Sequence, residues 1–246
     1  MTQRQASVVG AANTLEPALG AAWRRQRETI AQRFDGLATT CGDDPKTLDY
    51  GSRVAQRARF RVLAEALPLN GRRALDVGCG FADFADYLTA NYGPVDYEGV
   101  DICPRVIEHA QRRHPSLPLR VLDILEEDPG GPFDFVVAHG VFHLLGDGAF
   151  ELMGALIARM FELSRRAAAF TTLSAWAEHR RPGDFHADPG ETLAFCRSLT
   201  PRVALRHDYL PYDFAVFLHR GGYAKRSSRF ANPRLAAVGG LPPDRG

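Results

Sequence analysis

The chain has 246 residues, an apolar share of 45%, and 30 basic against 29 acidic side chains, for a formal net charge of +1. That length and composition suit one α/β domain with short appended segments. The near-zero charge excludes long-range steering onto phosphate backbones or anionic membranes, so no nucleic-acid or membrane partner is expected.

Residues 1–18 are small and polar and are expected to be flexible. From Leu19 the residues Leu19, Trp23, Ile30 and Phe34 fall on one helical stripe. After the breaker Cys41-Gly42-Asp43-Asp44-Pro45, a second helix is predicted over Leu48–Leu67. Residues 19–70 therefore read as an N-terminal helical cap on the α/β region beyond them. A regular alternation then begins. Strands are predicted at Arg73–Val77, Tyr97–Ile102, Leu119–Ile124, Phe133–Ala138 and Ala167–Leu173. Between them lie helices carrying Phe84, Ala85 and Leu88, then Val106, Ile107 and Ala110 behind Pro104, then Ala149–Leu163. Asp188-Pro189-Gly190-Glu191 carries the signature of a capped helix start. Two further strands, Val203–Tyr209 and Phe214–His219, are separated by so short a link that they must be antiparallel. Residues 71–220 thus form a doubly wound, seven-stranded α/β sheet with its last strand reversed. The remainder, 221–246, is rich in Gly, Pro and Arg and reads as a disordered tail.

Chemistry-bearing residues collect at the predicted strand ends. Leu75-Asp76-Val77-Gly78-Cys79-Gly80 runs from a strand through a glycine bend into a helix. Such a bend lets a ligand approach the backbone, and the helix N-terminus offers N–H groups to a carboxylate. An acid beside it can meet an ammonium, so the pair suits the end of an amino acid. Gly99-Val100-Asp101 stands about twenty residues on, where a carboxylate can accept both hydroxyls of a ribose. Asp123, in Leu122-Asp123-Ile124, can accept an exocyclic amine while its apolar neighbour covers a ring. Phe133–His139 should end beneath the ligand.

These four segments, in this order, resemble the class I S-adenosylmethionine (SAM)-dependent methyltransferases, over roughly Gly71 to His219. The resemblance implies a Rossmann-like methyltransferase fold and SAM as cofactor. Asp76, Gly78, Cys79 and Gly80 would hold its methionine end, Asp101 and Ile102 its ribose, and Asp123 and Ile124 its adenine. His139 would border the site. Ala82 departs from the family's frequent third glycine. Asp49-Tyr50-Gly51-Ser52-Arg53 and the stretch from His186 to Arg220 are similar to small stand-alone bacterial methyltransferases. That narrower likeness adds Tyr50 and Arg53 to the cofactor site, Arg53 on the SAM carboxylate.

The expected partner is a small-molecule acceptor, met by a monomer or homodimer. An alcohol or phenol acceptor must lose a proton, and His143 or His139 could take it. A metal shared by these two histidines lacks a third ligand by spacing, and the four cysteines supply no metal cluster. Phe142, Trp176, Phe185, His186, Tyr209, Tyr212 and Asp213 are expected to wall the acceptor pocket, with the Trp176–His186 loop as part of a lid. Asp83, Asp208 and Asp213 could hold a cation, which tilts the expectation toward a nitrogen acceptor, amine or guanidine, over a hydroxyl. Protein or RNA methylation, a non-catalytic SAM-binding partner subunit and a nicotinamide oxidoreductase are the competing readings. Met1–Gly20 shows no signal-peptide pattern, and no apolar run approaches the ~20 residues of a bilayer span, so a cytoplasmic location is expected.

Overall fold

A computed structural model of the chain describes residues 15–41, 48 and 51–221. In chain order they form α1 (Pro17–Cys41), α2 (Arg53–Ala66), β1 (Arg73–Val77), α3 (Asp83–Tyr92), β2 (Asp96–Asp101), α4 (Pro104–Arg113) and β3 (Leu119–Val121). β4 (Phe133–His139), α5 (Ala149–Leu163), β5 (Ser164–Leu173), α6 (Pro189–Leu199), β6 (Val203–Leu210) and β7 (Asp213–His219) complete the set. The strands make one sheet in the order β3-β2-β1-β4-β5-β7-β6. β7 is antiparallel to both of its neighbours, β5 and β6, and the other pairings are parallel. Strand order reverses between β1 and β4, and in such sheets the crevice at that reversal, outside the strand carboxyl ends, is where ligands bind.

Period-two alternation explains how a sheet so uniformly apolar sorts its side chains. Leu75, Val77, Val136, Ala138, Ala168, Phe170, Phe214 and Val216 share one core with Leu152, Met153 and Ile157 of α5 and Cys196 of α6. Their alternates Ala74, Phe135, Val137, Ala167, Ala169, Ala215 and Phe217 share the other with Phe60 and Leu63 of α2, Phe84 and Leu88 of α3, and Ile107 of α4. Each face buries its own row because successive side chains of a strand point to opposite sides. At the strand carboxyl ends, Phe34 and Ala38 of α1 pack with Phe81, Cys103 and Val106, which lays the first helix across the crevice.

Several boundaries differ from expectation. Pro17 and Ala18, expected to be loose, belong to α1. The second helix starts at Arg53, because the Ser52 side chain accepts the Ala55 N–H and caps it there. Ser52→Ala should accordingly cost about 1 kcal/mol in a denaturant melt. The third strand stops at Val121; beyond it Asp123 turns the chain by accepting the Leu125 N–H on its carboxylate and the Glu127 N–H on its carbonyl. The fifth strand begins at Ser164, directly after α5. The Asp188 cap stands as expected, its side chain accepting the Glu191 N–H. The expectations for 1–14 and 222–246 lie outside the described residues. Among the described residues, no helix is long and apolar enough to cross a membrane.

Candidate functional site

Two cavities lie at the carboxyl edge of the sheet. The first spans about 960 Å³, its open mouth included. Gly78, Cys79, Gly80, Asp101, Ile102, Asp123, Ile124, His139 and His143 line it, as do Trp23, Ile30 and Phe34 of α1. The bend after β1 is shaped for close approach. Gly78 and Gly80 take φ +70° and +56°, and a Cβ on either would run into Val141 or Leu48. Ala82 also sits in the left-handed region at φ 61°, a conformation that costs an alanine roughly 1 kcal/mol.

Asp101 joins β2 to this bend. Its carboxylate accepts the Gly80 N–H at 3.0 Å and the Cys103 N–H at 3.0 Å. Burial raises its pKa, and the two backbone bonds only partly oppose that. Asp123, at the other end of the cavity, is engaged by α1: its Oδ2 accepts Trp23 Nε1–H at 2.7 Å and an Arg27 N–H at 3.0 Å. Glu126 joins the same arginine. An adenine amine would share Asp123 with these two donors.

Asp76 stands one layer back. It is fully buried and not part of the cavity wall; Tyr97 donates its hydroxyl to Oδ2 at 2.7 Å, and Oδ1 has no partner among the described residues. His139 Nε2, 3.4 Å from Asp76 Oδ2, is the side chain through which this acid meets the cavity. His139 is itself wedged edge-on against the rings of Phe60 and Phe84.

The second cavity, about 910 Å³ with its mouth, shares Leu48, Gly140 and His143 with the first. Its floor holds a buried ion pair: Arg59 Nε donates to Asp213 Oδ2 at 2.8 Å, and the Tyr209 hydroxyl donates to Asp213 Oδ1. Burial raises the Asp213 pKa against the opposing pull of Arg59. The loop after β5 supplies His179, Arg181, Asp184 and His186. It is folded back on itself, since the Ala175 N–H donates to Ala187 O and the Ala187 N–H to Leu173 O. The Phe185 N–H donates to His143 O and ties it to the cavity wall.

Of the residues singled out from sequence, those of the glycine bend and of the Asp101 and Asp123 ends line the first cavity together with His139. Phe142, His143, His186, Tyr212 and Asp213 line the second. Arg53 is exposed at the start of α2 and lines neither, because Ser52 caps the helix there and the cavity-facing positions of α2 are Ala55, Gln56 and Arg59. Tyr50 lies outside the described residues. Trp176 is 62% exposed, donating to Asp188 and tilted against His207. Phe185 and Tyr209 line neither cavity: Phe185 packs against the core, and Tyr209 donates to Asp213.

The carboxylates expected to hold a cation all have arginines. Asp83 takes Gln56 Nε2–H and Arg113, Asp208 takes Arg206, and Asp213 takes Arg59. Sequence reasoning missed Arg59, Thr172 and the α1 contacts on Asp123. Only Trp23, already on an apolar helical stripe, carried any signal, and it read as core.

A family model described as a methyltransferase domain matches residues 75–166. Rv1506c of Mycobacterium tuberculosis, a protein named as a methyltransferase, is 28% identical over 152 residues, covering 59% of this chain and 91% of that one. The cyclopropane-fatty-acyl-phospholipid synthase of Escherichia coli K12 is 33% identical over 106 residues, 43% of this chain but only 28% of the synthase. Among solved structures, the magnesium protoporphyrin IX methyltransferase of Synechocystis PCC 6803 with bound SAH aligns over 80% of this chain and all of its own, at 14% identity and a TM-score of 0.58, a likeness of fold. The matched segment, Leu75 onward, opens with the Gly78–Gly80 bend and includes Asp101 and Asp123, and the sheet carries the reversed strand β7. Residues 75–166 match a methyltransferase domain, set in the fold that SAM-dependent methyltransferases share.

Proposed function

We propose that the first cavity holds SAM and the second a small-molecule acceptor, with methyl transfer to an acceptor oxygen where the two meet. The observation that carries this reading is the shared wall of Leu48, Gly140 and His143. The first cavity fits the cofactor on its own terms. It offers a bend that side chains would block, a carboxylate at Asp101 for the ribose, and apolar faces at Ile102, Leu122, Ile124 and Trp23 for a flat ring. Gly78 and Gly80 would pass the amino-acid end, with His139 alongside and Asp76 fixing His139 from behind.

Bound SAM supplies a methyl group already activated on a sulfonium. The chain is left to align donor and acceptor, an effect worth up to ~7–11 kcal/mol, and to keep water out. α1 closes the donor side through the Trp23–Asp123–Arg27 contact. At the junction, His143 Nδ1 lies 2.9 Å from the Gly140 carbonyl. A carbonyl only accepts, so the proton sits on Nδ1 and Nε2 is the basic nitrogen. That arrangement suits removal of a proton from a hydroxyl acceptor. Asp83, Asp208 and Asp213 are each bonded to an arginine, which weakens the argument for a cationic nitrogen acceptor and supports reading the acceptor atom as oxygen.

Calorimetry with SAM, SAH and NAD, followed by transfer of deuterated methyl to a small-molecule extract, tests the reading. Heat with NAD alone, or label only in the macromolecular fraction, would overturn it. An optical assay is also available. The chain has 2 tryptophans; Trp23 lines the donor cavity at 4% exposure, and Trp176 is in solvent. In Trp176→Phe, SAM should change the remaining emission saturably. An unresponsive Trp23 would remove α1 from the donor site.

A further inference from the structure

We infer that the acceptor is a carboxylic acid whose carboxylate is anchored by Thr172 and Arg59 on the floor of the second cavity, while the oxygen to be methylated lies at His143. This rests on the donor and acceptor assignment just made and adds the chemical class of the acceptor.

Thr172 is the leading observation. It sits near the carboxyl end of β5, is 2% exposed, and lines the second cavity. Its hydroxyl has no partner among the described residues. A buried hydroxyl left unpaired is costly, and valine would fill the same volume without that cost. A ligand group in the cavity gives the hydroxyl its use.

The surrounding wall says which kind of group. Among the described residues, Arg59, Arg181, His143, His179 and His186 face the cavity with two acids, Asp184 and Asp213. Both acids are bonded to arginines of the same wall: Asp213 to Arg59 at 2.8 Å, and Asp184 to Arg181 at 2.9 Å. An arginine carries five donors and no acceptor, so the described wall is rich in donors and both of its acids are bonded. Such a wall favours an anion with several acceptor lone pairs, and a planar carboxylate matches a guanidinium edge. Asp213 and Tyr209 act as positioning residues. Asp213 on β7 accepts the Nε–H of Arg59, and Tyr209 on β6 donates to the other oxygen of that carboxylate, so the pair fixes the guanidinium at the floor.

Thr171 is a control built into the same strand. Its hydroxyl is also buried without a partner among the described residues, but its side chain points to the other face of the sheet and lines neither cavity. The experiment uses the full chain, deuterated-methyl SAM and a small-molecule extract, with products separated on an anion exchanger. Native enzyme should give a labelled product that the exchanger retains, because the anchoring carboxylate survives the reaction.

At limiting extract, Thr172→Val should form that product about tenfold more slowly, the consequence of losing one hydrogen bond to a charged group. Its SAM affinity should be native, and Thr171→Val should match native enzyme in both respects. Label only in the unretained fraction, no retained labelled product from enzyme that binds SAM, or a Thr172→Val rate equal to native would each overturn the inference. Failure of SAM to bind at all would instead sink the donor site, and calorimetry tells the two apart.

Discussion

Asp101→Ala is expected to weaken SAM binding by about 100-fold or more, with the protein still folded. A carboxylate that accepts two ribose hydroxyls makes two hydrogen bonds to a charged group, each worth about 1.5–3 kcal/mol, and 1.4 kcal/mol is a factor of ten. The substitution also frees the Gly80 and Cys103 N–H groups that the carboxylate now gathers at 3.0 Å each, so the glycine bend loses its brace as well. The fold should suffer far less than the binding, because burial already disfavours this charge and raises the Asp101 pKa. Titration calorimetry checks both halves when paired with a thermal melt. An affinity within threefold of native would mean that Asp101 serves the bend alone and that the ribose is held elsewhere.

Arg59→Met should be the most destabilising single change outside the central sheet. It leaves the Asp213 carboxylate, 1% exposed, with no cation in a pocket that now pairs the two at 2.8 Å. Removing one partner of a buried pair costs about 3–5 kcal/mol, which lowers the melting temperature of a chain this size by about 10 °C. The effect has a sign in pH. Burial places the Asp213 pKa above its unfolded value even with Arg59 present, and loss of the guanidinium removes the main opposing influence. A carboxylate with a raised folded pKa contributes stability only below its unfolded pKa, and that contribution is lost as pH rises through the folded one. The deficit of Arg59→Met should therefore be smallest in acid and grow toward neutral pH. Denaturant melts at pH about 5 and about 8 read it directly. The double variant Arg59→Met, Asp213→Leu removes both charges and should recover most of the loss. A single-variant deficit independent of pH would show that the carboxylate escapes by rearranging.

The double variant also separates stability from recognition. A refolded, SAM-binding protein with an apolar floor should still lose turnover, because the anion anchor has gone with the pair.

Local sequence carried the architecture almost whole. Strands such as Phe133–His139 are apolar throughout because both faces are covered, while the helices between them repeat at 3.6. Both patterns are properties of neighbouring residues and need no fold to be read. The short link at Pro211-Tyr212 made the last pairing antiparallel for the same local reason. Within the site, the Gly78–Gly80 bend and Asp101 were legible because each requirement, a positive φ or a carboxylate at a strand end, lies within a few residues. Asp123 was legible as a position, but its partners were not: Trp23 and Arg27 reach it from about a hundred residues upstream.

What only the tertiary structure decided is who meets whom across long separations. The sequence singles out Arg53 on the second helix, yet Ser52 caps α2 and the turn of the helix delivers Arg59 to the cavity instead. Asp213 reads as a possible cation holder, but it stands beside an arginine 154 positions earlier, and that pairing converts the acid from ligand into support. Thr172 gives no signal in the sequence, because a threonine in an apolar strand is ordinary. Its meaning comes from a hydroxyl that, among the described residues, has no partner and faces a cavity built from separate parts of the chain. Secondary structure arises from short-range backbone and burial preferences. Charge pairing and pocket chemistry arise from which distant side chains the packed sheet brings within three ångströms of one another.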